Sequence, residues 1–181
     1  MRRPITLVVA AASLAVAGLG AAAPPAGLLV TPETPGDVAV LAAATFERFI
    51  EAAPALDRCI GRVRLAGAWS LGDRGSYDAD TSSITVRIPG TAPRLAATLV
   101  HELAHHVDLA CLSEDVRASF RRVQGLSANS PWDEGASWAE VPAEQFAETM
   151  VEAVLGRRSP TLGVRIEPVA VELITRWAQG G

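Results

Sequence analysis

Thr91-Ala92-Pro93-Arg94-Leu95-Ala96-Ala97-Thr98-Leu99-Val100-His101-Glu102-Leu103-Ala104-His105-His106-Val107-Asp108-Leu109-Ala110-Cys111-Leu112 is the stretch on which the reading of this chain turns. Pro93, just inside Thr91, marks a helix start, and neither glycine nor a second proline interrupts the pattern through Leu112. Counting 100° per residue from His101, His105 falls at about 40° and Asp108 at about 340°. Ala96, Leu99, Val100, Leu103, Val107 and Ala110 fall between about 160° and 260°. One face of the helix therefore carries imidazoles and the opposite face carries core. His101-Glu102-x-x-His105 sets two ring nitrogens one turn apart, where both can reach a single ion at roughly 2.1 Å, as tetrahedral zinc requires. Glu102, at about 100°, borders the metal face without belonging to it. It is placed to take a proton from a zinc-bound water rather than to bind the zinc. His106, at about 140°, lies toward the core boundary and reads as a structural histidine.

Two histidines and a water leave one protein ligand to be found, and three candidates compete. Cys111 follows His105 by six residues, but on an unbroken helix it stays at about 280°, away from the metal. Asp108 lies on the metal stripe a full turn beyond His105 and suits a supporting role. The third candidate is Glu144, in the helix that Pro142 opens. Glu144 and Glu148 share one face of it, with Phe146, Met150 and Ala153 opposite. If Glu144 binds the ion, Glu148 can accept the free N–H of a ligand imidazole and fix its tautomer.

Outward from these helices the chain reads as an α+β domain, mainly helical with a small antiparallel or mixed sheet before the histidine helix. Residues 23–36, rich in proline, read as an extended lead-in, with a single domain over 37–181. A helix is expected from Asp37 until Pro54 stops it. Arg62 to Leu65 and Ser83 to Ile88 alternate polar and apolar and read as half-buried strands, with Gly/Asp/Ser-rich loop between them. Ser113 caps a further helix to about Gln124, 125–141 reads as loop, Pro142 opens a helix ending at Gly156, and Pro168 opens a last one ending near Ala178. Trp132 and Trp138 read as plugs of a small core, and Arg121 and Arg122 as a solvated face.

The 181 residues hold 16 basic side chains, all arginine, against 20 acidic ones, for a net charge of −4. With 49% apolar and 20% charged residues the chain can bury a core, and a basic nucleic-acid clamp, a disordered acidic tail and a cysteine-stapled miniprotein are all poor fits. The first 22 residues read as an export signal: Met1-Arg2-Arg3, an uncharged run from Ile5 to Leu19, and small residues with cleavage expected after Ala22. The run is shorter than the ~20 residues a bilayer crossing needs, so the mature chain is expected to have no membrane span and to be secreted. In an oxidising compartment Cys59 and Cys111 are expected to form one disulfide.

His101-Glu102-Leu-Ala-His105 followed by a separate Glu144-Gln-Phe-Ala-Glu148 helix resembles the gluzincin metallopeptidases, and in pattern is similar to the anthrax-lethal-factor-like branch. The resemblance implies a zincin-like fold, Zn(2+) held by His101, His105 and Glu144, and Glu102 as general base and proton shuttle. It also implies that a strand before the histidine helix, here Ser83 to Ile88, borders the cleft and pairs with an extended peptide or protein substrate. Lethal-factor-like sites carry a Tyr shortly before the third ligand, whereas here that stretch reads Glu134-Gly-Ala-Ser137-Trp138-Ala-Glu140. The chain's one tyrosine, Tyr77, is then a possible stabiliser of the oxyanion. The expected function is a secreted zinc endopeptidase; the alternative is a catalytically silent zinc-binding domain that holds a peptide or protein partner.

Overall fold

A computed structural model describes residues 26–156 and 163–181, so the export signal expected over 1–22 lies outside the described residues. Strand β1 (Gly27–Val30) leads into helix α1 (Gly36–Ala52), then a 3-10 turn (Pro54–Leu56), the single-turn α2 (Asp57–Ile60), and strands β2 (Arg62–Ala68), β3 (Gly75–Asp78) and β4 (Ser83–Arg87). Four longer helices complete the chain: α3 (Ala92–Cys111), α4 (Glu114–Val123), α5 (Pro142–Leu155) and α6 (Pro168–Ala178). The fold is α+β with one mixed sheet in the order β1-β2-β4-β3, parallel from β1 through β4 and antiparallel at β3.

Two strands depart from the sequence expectation. The lead-in is not merely extended: Leu28, Leu29 and Val30 pair in parallel with Val63, Arg64 and Leu65 of β2. Proline on either side hides a short apolar run that only a partner strand makes legible. β3 arises in the Gly/Asp/Ser-rich stretch taken for loop, where Tyr77 is the one bulky residue, and its register comes from pairing with β4. β4 therefore lies inside the sheet, and β3 is the edge that borders the cleft, in place of Ser83 to Ile88.

Alternation decides which sheet face is covered. Val63, Leu65, Ile84 and Val86 are buried toward the helices, while Arg62, Arg64 and Arg87 are exposed on the other side. α3 is the spine, packing its apolar stripe on α1, α5 and the sheet. Leu99, Val100, Leu103 and Val107 join Phe46 and Phe49 of α1 and Phe146 and Met150 of α5 in one core. The helix ends fall where the punctuation puts them. Pro93, Pro142 and Pro168 sit in the first turns of α3, α5 and α6. Ser113 caps α4, its hydroxyl accepting from the Val116 N–H at 3.4 Å. Gly156 ends α5 at φ 66°, a left-handed position that glycine takes without strain.

Cys59 on α2 and Cys111 at the end of α3 form a disulfide, with Cα atoms 5.6 Å apart and a sequence separation of 52. The bond ties the last turn of α3 to α2, which leads into β2, and removes Cys111 from the set of metal ligands. No described helix is long and apolar enough to cross a membrane.

Candidate metal centre

Because α3 buries the face opposite its histidines, His101 and His105 point away from the core, and packing of α5 on α3 brings the first turn of α5 against them. The His101 and His105 Nε2 atoms lie 3.1 Å apart, and Glu144 Oε2 lies 3.0 Å from the first and 3.4 Å from the second. These three side chains form a cluster able to hold a metal ion. One turn further along α5, Glu148 is almost fully buried, and its Oε1 lies 3.0 Å from His101 Nδ1.

Lone pairs test whether a cation fits. With Nδ1 of a neutral His101 donating to Glu148, Nε2 carries no proton and presents a lone pair. Glu144 Oε2 is buried and makes no hydrogen bond of proper geometry among the described residues, although two ring nitrogens lie within 3.4 Å of it. Acceptor atoms this close repel one another unless a positive charge joins them. A metal ion supplies that charge; without one, a proton must. Burial pushes the His101 imidazole down, but Glu144 and Glu148 more than reverse this and bring its pKa up to about 9. Burial likewise opposes ionisation of Glu144, yet the two histidines hold its carboxyl at about 2.

Glu102 sits beside this cluster and is mostly buried, which raises its pKa above the ordinary carboxylate value; His101 and His105 act in the opposite direction. Its carboxylate is lodged against the edge strand. A Cβ placed on Gly75 would stand 2.5 Å from Glu102 Oε1 and 2.5 Å from Thr98 Cγ2, closer than real atoms approach. The glycine is thus a spatial requirement of the Glu102 position, since a side chain there would displace the carboxylate.

Other residues singled out in the sequence fall elsewhere. Asp108 makes no hydrogen bond to His101 or His105 among the described residues: its Oδ1 accepts from Arg117 Nε at 2.9 Å and Nη2 at 2.8 Å, and its Oδ2 from the Trp132 indole N–H at 2.6 Å. It anchors α4 and the 125–141 segment to α3. Trp132 is a core plug, as expected, packed on Phe120 and Phe146. Trp138 is not; it is half-exposed on the cleft rim, its ring stacked on His101 at 5.9 Å and 27°. Arg121 is buried rather than solvated, pairing with Glu114 at 2.8 Å and lying over the Trp132 ring. Tyr77 lines the cleft, but its hydroxyl lies 2.7 Å from His106 Nδ1, while His106 Nε2 lies 2.7 Å from the Ile60 carbonyl. Nε2 of a neutral His106 must donate to that carbonyl, so Nδ1 accepts and the Tyr77 O–H donates inward. The hydroxyl proposed for an oxyanion is spent inside the fold, and His106 is the structural residue its helix angle suggested.

The cluster opens into a cleft of about 910 Å³ walled by α3, by residues 73–77 at and just before edge strand β3, and by the rim residues Asp133 and Trp138. Sequence reasoning missed Gly75, Leu109, Asp133 and Trp138 as cleft residues. Leu109 did leave a signal, an apolar side chain one turn after His105 on an otherwise polar stripe. Against this geometry, no family model, curated protein or solved structure matches the chain.

Proposed function

We propose that this chain is a zincin-like, zinc-dependent endopeptidase that works outside the cytoplasm. The observation that carries the reading is the convergence of His101 Nε2, His105 Nε2 and Glu144 Oε2, with a buried carboxylate, Glu102, beside them and a long cleft in front. Two imidazoles and a carboxylate are the ligand chemistry of catalytic zinc, which when bound polarises a water and a carbonyl. Glu102 accepts the proton of the attacking water and passes it to the leaving nitrogen. Its raised pKa suits both halves of that task, because a carboxylate that holds a proton more readily also returns it. Glu148 holds the His101 ring in the tautomer that leaves Nε2 free. A bonded Cys59–Cys111 pair is compatible with an extracellular protein and supports the export reading.

The ligand assignment is tested by zinc titration. Glu144→Ala is expected to weaken zinc binding far more than Glu148→Ala, which should cost about 10- to 100-fold, the usual effect of losing a residue that orients a ligand. Asp108→Ala should leave zinc affinity nearly unchanged. The reverse order would move the third ligand elsewhere. One observation favours a second reading, a silent domain that binds zinc and a peptide without cutting it: the Tyr77 hydroxyl is bonded to His106. That reading requires stoichiometric zinc and no cleavage of any peptide.

A further inference from the structure

The cleft follows α3 from Thr91 to Leu109, about 27 Å at 1.5 Å per residue, with His101 near its middle. Roughly four residues of extended chain fit on either side of the cluster. The lining includes Arg94 in the first turn of α3 and, on the strand side, Asp73 and Arg74 next to the Gly75 that meets Thr98 and Glu102. At the other end stand Leu109, 61% exposed, and Asp133, also exposed. Trp132 bonded to Asp108 brings the residue preceding Asp133 against the residue preceding Leu109. Asp133 has no ion pair among the described residues, and the cations around Trp132 are committed: Arg117 to Asp108 and Glu114, Arg121 to Glu114.

An exposed leucine and a carboxylate without an ion pair among the described residues, lining one cleft with their chain neighbours Asp108 and Trp132 bonded to each other, complement a side chain with an apolar stem and a cationic head. Resting on the peptide-binding reading of this cleft, we propose that Leu109 and Asp133 form a subsite for arginine or lysine, so that the substrates are peptides bearing a basic residue. Leu109 lies about 6 Å along the helix from His105 and about 12 Å from His101, which sets the basic residue two to four positions from the bond held at the metal.

Fluorescence anisotropy with the zinc-loaded Glu102→Gln protein reads this without turnover. The probes are labelled peptides, neutral except for one Arg, one Glu or no charge. The Arg peptide is expected to bind about threefold or more tighter than the Glu peptide, the scale of an exposed ion pair. Adding Asp133→Lys should reverse the order and adding Asp133→Asn should level it, with zinc content and circular dichroism unchanged. Equal binding of all three peptides, no binding, or a preference that survives both Asp133 substitutions would overturn the subsite. Cleavage by the wild-type chain is scored separately. Basic preference without cleavage would sink the hydrolytic reading and keep the subsite; cleavage without preference would do the opposite.

Discussion

His101 concentrates the chemistry of the site in one ring: Glu148 fixes one nitrogen, the other meets His105 and Glu144, and Trp138 covers a face. In the metal-free protein its pKa stands at about 9, against 6.5 for a free imidazole, and Glu144 stands at about 2, against 4.5. The sign follows from which form the fold prefers. The raised histidine contributes stability that is complete below about pH 6.5 and lost as pH rises through about 9. The depressed carboxylate contributes stability present above about pH 4.5 and lost as pH falls through about 2; the two describe one coupled pair and count once. Zinc reverses the alkaline half of this, because it needs the nitrogen that the proton occupies. Zinc binding near pH 7 is therefore expected to release about one proton per ion, and affinity should climb toward pH 9. Calorimetry in buffers of different ionisation heat measures this, and a proton count near zero would mean that His101 is not a ligand.

At the scale of elements, β3 and α3 must approach closely enough to seat Glu102, and Gly75 permits it. Gly75→Ala should shift the Glu102 carboxylate while leaving the metal triad in place. A displacement near 1 Å at a reacting group costs about 10²-fold, so kcat should fall on that scale while zinc affinity stays nearly constant. A parallel loss of zinc, or no loss of kcat, would show that the strand does not position the base. Such elements divide what the amino-acid pattern reveals from what it hides. α3, α5 and α6 were legible because proline opens each and an apolar stripe runs through it, and Glu144 with Glu148 could be found because helical spacing puts them on one face. β1 and β3 were not, since four residues carry little periodicity and their pairing depends on strands far along the chain. Trp138 was misread for a related reason. A tryptophan in a polar loop is buried or exposed according to how the loop folds back, here by Gln145 holding the Ala139 carbonyl at 3.1 Å.

Across the whole molecule, the proposed function would be divided between two layers. The helical layer carries His101, His105, Glu144 and Glu102 on two packed helices, α3 and α5, and the sheet supplies one wall of the cleft. The disulfide joins helix α2 to the end of α3, where Asp108 also anchors α4 and the segment carrying Trp132 and Asp133. Closing so long a loop in the unfolded chain is worth about 4 kcal/mol on the chain-entropy view, a contribution that does not depend on metal. A fold held by this bond without metal suits the proposed hydrolytic site, which needs its ligands assembled before the ion arrives, rather than a module folded by its metal. Cleavage of a peptide library by the zinc-loaded wild-type chain and by Glu102→Gln at equal zinc content, each with and without chelator, tests this account most directly. It predicts internal cleavage by the wild type, abolished by chelator, and a loss of about 10²- to 10⁴-fold in Glu102→Gln with zinc retained. Full activity in Glu102→Gln, or a zinc-saturated wild type that cuts nothing, would contradict it.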